Sequence, residues 1–294
     1  MDNAGIGMIL ALFSGLGFGL GTIMVRASSS RLSPLLNMYV SLLVGTPLLL
    51  AAVIIKGGLR SLECYGWLLY SLTGVLHYLI GRLLLFYSVE KIGAASASIS
   101  ASPSIVLASL LAWLLLDEPI GPRMAASVVL ISLAVYLAGT RPSGLGYDHR
   151  EKILGVTAGL GASIVFAATT LIIRYTGQGY GSETAGAFAS YLAALLMASP
   201  FMARRRMLGE LRKIDKYLGF AVAAGLMVSL AQLLRYNALG MAPVALVVVF
   251  ISMNSVYAAV FSPLVGSARE KPGARHLAAA LLAVASLYLA ATSR

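Results

Sequence analysis

Long apolar runs alternate with short polar breaks along the whole chain. Ten runs stand out, at about 4–25, 34–55, 66–88, 93–116, 122–139, 153–173, 184–203, 217–238, 242–265 and 274–292. Each is close to the roughly 20 apolar residues that cross the hydrocarbon of a bilayer. Lipid offers no water to backbone groups, so runs of this length must be helices. The pattern predicts an all-α integral membrane protein with ten transmembrane helices.

The stretch Tyr87–Gly121 organises this pattern, with Glu90 and Lys91 before its apolar run, Pro103 at its centre, and Asp117 and Glu118 after it. Its first half is Ala and Ser at almost every position, a composition that lets helices approach closely in lipid. A cognate stretch runs from Tyr236 to Gly273: Tyr87 answers to Tyr236, a shift of 149, and Gly121-x-Arg123 to Gly273-x-Arg275. At a shift of 148, Gly7, Leu12, Phe18, Thr22 and Arg26 fall on Gly155, Leu160, Phe166, Thr170 and Arg174. The chain therefore reads as two copies of five helices, residues 1–140 and 153–294, joined by a polar linker over 141–152. An odd number of spans per copy turns the second copy over in the membrane, which gives the inverted repeat of secondary transporters.

Composition agrees with a membrane protein. Hydrophobic residues are 59% of the 294 and charged residues 11%, against about 25% charged in a soluble domain. A net charge of +11 would suggest nucleic acid in a soluble chain, but here the basic residues lie mostly between spans. Topology and contact with anionic lipid are the better account, and no nucleic-acid partner is expected. Cys64 is the single cysteine, which excludes an intrachain disulfide. The first run is too long, and lacks a basic flank, for a cleaved signal peptide.

Arg and Lys counts orient the chain. One side holds fifteen (Arg26, Arg31, Lys91, Arg141, Arg150, Lys152, Arg204, Arg205, Arg206, Arg212, Lys213, Lys216, Arg269, Lys271 and Arg275), six of them between Arg204 and Lys216. The other holds five: Lys56, Arg60, Arg123, Arg174 and Arg294. The richer side is cytoplasmic by the positive-inside rule, which puts both termini outside.

All eleven acidic residues lie at or beyond span ends. A buried cation needs a partner charge, so the absence of a carboxylate at depth disfavours cation transport. The polar groups at depth are neutral or basic. In the third span Gly74, His77, Tyr78, Gly81 and Arg82 share one helical face. Arg82 lies about 9 Å from the span end, within snorkelling reach, but the glycines and polar rings on its face favour a site. In the eighth span Ser229, Gln232 and Tyr236 share a face with Arg235 at its edge, where snorkelling is the stronger reading for Arg235. Asn254 and Tyr257 stand in the ninth span, and Phe18 and Phe166 can supply apolar wall. The small-residue pairs Gly15/Gly19 and Gly17/Gly21 of the first span read first as packing surfaces. The three histidines, His77, His149 and His276, have no metal-ligand neighbour, and no Gly-rich phosphate loop carries a Lys. No catalytic constellation, metal or cofactor is expected.

Tyr87, Lys91-Ile92-Gly93-Ala94, Pro103, Leu114-Leu115-Leu116-Asp117-Glu118 and Gly139, together with the ten-span duplication, resemble the EamA-type carriers of the drug/metabolite transporter superfamily. In the second copy Ser252 or Asn254 stands where the Pro would be, and Ala268-Arg269-Glu270 replaces the acidic turn. The resemblance implies a basket in which spans 1–4 and 6–9 surround a cavity, spans 5 and 10 standing outside. It also implies transport of small metabolites such as amino acids, and termini in the cytoplasm. The charge count points to the opposite orientation.

The function expected is a secondary transporter in the cell membrane. It moves a small anionic or zwitterionic metabolite, with an amino acid favoured, by alternating access, as a monomer or weak homodimer. The expected binding residues are His77, Tyr78, Arg82, Gln232, Arg235, Tyr236, Asn254, Tyr257, Phe18 and Phe166. Two alternatives belong to other classes. A membrane-embedded enzyme on a lipid-linked substrate needs a buried acid/base pair or metal. A receptor or scaffold needs no cavity between the halves.

Overall fold

The computed structural model describes residues 2–29, 31–56, 62–139, 149–202, 216–261 and 274–293. The helices are α1 (Asn3–Ser28), α2 (Pro34–Ile55), α3 (Cys64–Gly74) continued by a π-helical turn (Val75–Gly81), and α4 (Arg82–Ala101). They continue with α5 (Pro103–Leu115), α6 (Pro122–Gly139), α7 (His149–Gly179) and α8 (Glu183–Met202). The chain closes with α9 (Lys216–Met241), α10 (Val244–Ile251), α11 (Met253–Phe261) and α12 (Ala274–Ala291). Six of the crossings are long and apolar, and Ile99–Leu115, Pro122–Ala138, Val244–Ala258 and Leu277–Ala291 are shorter. Together they make ten membrane helices in two inverted five-helix repeats.

The packing follows the duplication. α1 packs against α9, α10 and α11, and its counterpart α7 packs against the π-turn, α4 and α5. α2 packs on α9 as its counterpart α8 packs on α3, and α6 pairs with α12. Each half thus supplies one helix that inserts between two helices of the other. The glycines of α1 allow this insertion. A Cβ on Gly15 or Gly19 would meet backbone oxygens of Phe250, Ile251 or Asn254, and one on Gly17 or Gly21 would meet Ala231 or Val228. The interleaved pairs serve the two neighbours of α1 separately, as close packing requires.

Two elements depart from the expected pattern. No non-helical segment separates the third and fourth spans: the backbone keeps helical hydrogen bonding from Arg82 to Ala101. The chain nevertheless turns back within it, because a Cβ on Gly159 would meet both Ser88 and Ser100. Twelve residues of straight helix would hold those two about 18 Å apart. Residues His149–Lys152, expected as linker, form the first turn of α7. The rest of the linker, 141–148, lies outside the described residues, as do Pro263 and the Ala268–Glu270 turn.

Pro103 follows a break at Ser102, as expected of a residue without an N–H. The second copy makes the same break at Ser252 without a proline. In both, the serine hydroxyl donates back to a carbonyl of the preceding turn: Ser102 to Ile99 at 2.8 Å and Ser252 to Val248 at 2.6 Å. Such back-bonding bends helices, so the serine supplies what the missing Pro would.

At the face that carries the chain termini the two halves are tied together. Leu62 pairs with Gly181 in an isolated bridge, and Glu63 N–H donates to the Tyr180 carbonyl at 3.2 Å. Lys56 Nζ donates to Asn237 Oδ1 at 2.9 Å.

Candidate binding site

The π-turn Val75–Gly81 lies in the middle of the third crossing. It widens the helix by an extra residue per turn, a feature common at functional sites. A glycine bounds it at each end. A Cβ on Gly74 would collide with the Ser190 carbonyl of α8, and one on Gly81 would reach the Phe166 ring of α7 at 2.6 Å. Only a residue without Cβ permits the first approach.

Around this turn sits a buried polar cluster. Tyr78 is fully buried, Gln232 is 1% exposed, Arg235 7% and His77 9%. Arg235 Nη2 donates to Thr170 Oγ1 at 2.6 Å, and Nη1 donates to Gln232 Oε1 at 3.3 Å. Gln232 Nε2 lies 3.4 Å from His77 Nε2, and His77 Nδ1 lies 3.1 Å from Thr169 Oγ1. Arg82, half-buried, stands over the Tyr78 ring at 5.3 Å, in reach of a cation–π attraction. Tyr78 packs edge-on against Tyr191 at 4.8 Å, and the His77 ring meets Phe166 at 4.9 Å. The hydroxyls of Tyr70, Tyr78 and Tyr191 have no hydrogen-bond partner among the described residues. Neither arginine is paired with a carboxylate among the described residues.

The structure therefore brings His77, Tyr78, Arg82, Gln232, Arg235 and Phe166 together. Tyr236 lies beside them, its hydroxyl donating to Ser190 Oγ at 2.8 Å, and Ser190 donates to the Tyr70 carbonyl at 2.7 Å. Snorkelling does not describe Arg235. α9 runs on to Met241, past the expected end, and the guanidinium is held inside by residues of α7 and its own helix. Phe18, Asn254 and Tyr257 share no hydrogen bond or ring contact with the cluster among the described residues. Asn254 and Tyr257 lie against Gly19 of α1 instead, and the Tyr257 ring stacks on Phe261. Thr169, Thr170, Ser190 and Tyr191 were not expected. The only sequence signal among them was the repeat match of Thr170 to Thr22. Among the described residues no group of three His, Cys, Asp or Glu could hold a metal ion.

Comparison with known proteins places this geometry. The model of the EamA-like transporter family matches twice, over residues 5–140 and 153–292. Solute carrier family 35 member G1 of Homo sapiens is 27% identical over 103 residues, 33% of this chain and 28% of that protein. The Mus musculus protein of the same name is 28% identical over 103 residues, again 28% of its length. The match thus spans less than a third of these relatives. A solved crystal structure superposes with a TM-score of 0.80 at 15% identity, over 98% of this chain and 96% of that one, a likeness of fold alone. With the family model covering both halves, the chain belongs to the EamA-like transporter family.

Proposed function

We propose that this protein is a secondary transporter of the cell membrane that moves a small anionic or zwitterionic metabolite, an amino acid in the first instance, by alternating access. The observation that carries the reading is the pair Arg82 and Arg235 at span depth, with no carboxylate on either among the described residues. Guanidinium groups hold carboxylates through paired hydrogen bonds. A buried cation without a counter-ion is costly, and a substrate carboxylate supplies one. The ammonium of an amino acid then meets the unpartnered hydroxyls of Tyr78 and Tyr191. Phe166 supplies apolar wall.

Access alternates by rocking one half against the other. Closing the termini face relies on Leu62–Gly181, Lys56–Asn237 and the ion pair Glu118–Arg174, all of which join the two repeats. Opening that face breaks them while the opposite face closes. The protein works as a monomer or weak homodimer, since each monomer holds a complete cluster.

The test is a thermal-shift screen of the purified protein against amino acids, organic anions, sugar phosphates and cationic drugs. A ligand present at 100 times its Kd stabilises by about 2.7 kcal/mol. Stabilisation by carboxylates or amino acids is expected. Stabilisation by quaternary ammonium compounds alone would reverse the charge assignment.

A further inference from the structure

Hydrogen bonds around His77 run in one forced direction. A guanidinium has donors only, so Gln232 must turn its Oε1 to Arg235 Nη1. Its Nε2, also a donor, then faces His77 Nε2. That ring nitrogen must be bare to accept. The imidazole proton therefore sits on Nδ1 and is donated to Thr169 Oγ1, whose own hydrogen goes to the Phe166 carbonyl at 3.1 Å. Thr170, which accepts the other bond of Arg235, donates to the same carbonyl at 2.7 Å. Two arms leave Arg235 and meet at Phe166, and one of them passes through a titratable ring.

A proton arriving at His77 Nε2 would put two donors face to face. Gln232 relieves this by turning its amide over, so that Oε1 accepts the new N–H. Its NH2 group then opposes Arg235 Nη1, and Arg235 keeps Thr170 but loses Gln232. The freed donor can go to a substrate oxygen. The charges facing His77 set the order of events. Arg235 on α9 and Arg82 on α4 bring guanidinium groups beside it, and α7 presents Phe166, Thr169 and Thr170. Tyr78 on the same turn lies edge-on to the His77 ring at 4.9 Å, Tyr191 of α8 packs on Tyr78, and Tyr236 of α9 packs on Tyr70 of α3. A third positive charge is unfavourable there until an anion lies on the arginines. Conversely, the anion is held by one more donor once the proton has arrived. Proton and anion each favour the other, and the coupling is reciprocal.

We propose that His77 is the proton site of a proton–anion co-binding switch, in which protonation at Nε2 flips Gln232 and releases Arg235 to the substrate carboxylate. This rests on the reading of Arg82 and Arg235 as the anion site. It makes the carrier a proton–anion symporter, since the proton and the anion leave together.

Two measurements test it on the purified full-length protein. The first uses 15N-histidine NMR on a His149→Gln/His276→Gln double variant, which leaves His77 as the single histidine. In ligand-free protein at pH 7.5 the expected species is the neutral ring with Nδ1 protonated and Nε2 bare. The Nε2–H tautomer or an imidazolium would overturn the proposal. The second measures thermal stabilisation by an equimolar mixture of L-amino acids without histidine, from pH 5.5 to 7.5. The α-charges of these probes do not titrate there. Apparent affinity should rise as pH falls, by up to tenfold per pH unit while His77 is neutral when free and charged when bound. In His77→Gln, whose side chain offers Gln232 a fixed partner, binding should lose that slope. Stabilisation that is pH-independent in wild type, or equally pH-dependent in His77→Gln, would overturn the proton switch and leave the anion site standing. No stabilisation at any pH would overturn the anion site for amino acids and the switch with it.

Discussion

Glu118 and Arg174 form an ion pair at 2.7 Å, with the carboxylate from the first repeat and the guanidinium from the second. The other carboxylate oxygen accepts the N–H of Val244, the first residue of α10, at 2.7 Å. Arg174 also donates to the carbonyls of Leu239 and Gly240 near the end of α9, at 2.7 and 3.2 Å. One pair therefore caps both sides of the break between α9 and α10. Each charge sits where the helix dipole favours it, anion at an N-terminus and cation at a C-terminus.

This arrangement predicts unequal losses. Both side chains keep only about a tenth of their surface exposed. Arg174→Met leaves a nearly buried carboxylate without its counter-ion and should cost about 3 kcal/mol, the low end for breaking a buried pair. Glu118→Gln keeps an oxygen for the Val244 N–H and should cost less than Glu118→Ala. Thermal midpoints in detergent would order the three variants. Equal midpoints for Gln and Ala would show that the cap contributes nothing.

Gly74→Ala should destabilise by about 1–3 kcal/mol, as overpacking does. The obstacle is the Ser190 backbone of α8, which cannot swing away. Gly219→Ala is the control, because a Cβ there meets nothing within 4 Å. It should be neutral or gain up to about 1 kcal/mol from helix propensity. An equal loss at both positions would show that the penalty does not come from the α3–α8 contact.

The native thiol reports topology. Cys64 is exposed and opens α3 on the termini face. If the charge count is right, an impermeant thiol reagent labels wild type in intact cells. A cysteine at Arg205, outside the described residues, in a Cys64→Ser background should be protected. The reverse pattern would place the termini in the cytoplasm.

Much of the cluster was legible because its third-span members lie close in sequence: His77, Tyr78 and Arg82 share one helical face with Gly74 and Gly81. The π-turn itself was not, since i→i+5 bonding follows from packing against α7 and α8 and leaves no residue pattern. Arg235 reads as a snorkelling residue in the sequence because the apolar run 217–238 stops short of Met241, where the helix ends. Thr169 and Thr170 are unremarkable in a membrane helix until an arginine of the other crossing reaches them. Glu118 stands at a span end as expected, yet it is buried, because the partner that covers it lies 56 positions away on α7. Contacts between the inverted halves are where local reading stops.

The two arginines should respond differently to lysine. Arg235 uses separate N–H groups for Thr170 and Gln232, which diverge from a planar fork. A lysine ammonium is a compact charge on a flexible stem and cannot reproduce the two diverging bonds of the planar guanidinium. Arg235→Lys should therefore lose ligand stabilisation nearly as fully as Arg235→Met. Arg82 makes no such pair of bonds, and its charge rests over the face of Tyr78. A lysine can occupy that face, so Arg82→Lys should retain part of the stabilisation that Arg82→Met loses. Both methionine variants should still fold, because neither leaves a carboxylate orphaned among the described residues. Thermal shifts with the amino-acid mixture would decide the matter. Equal retention in both lysine variants would mean that charge alone is read, and that the bonds holding Arg235 play no part in recognition. Wild-type binding in Arg82→Met would make Arg82 an interfacial anchor and leave Arg235 to hold the anion.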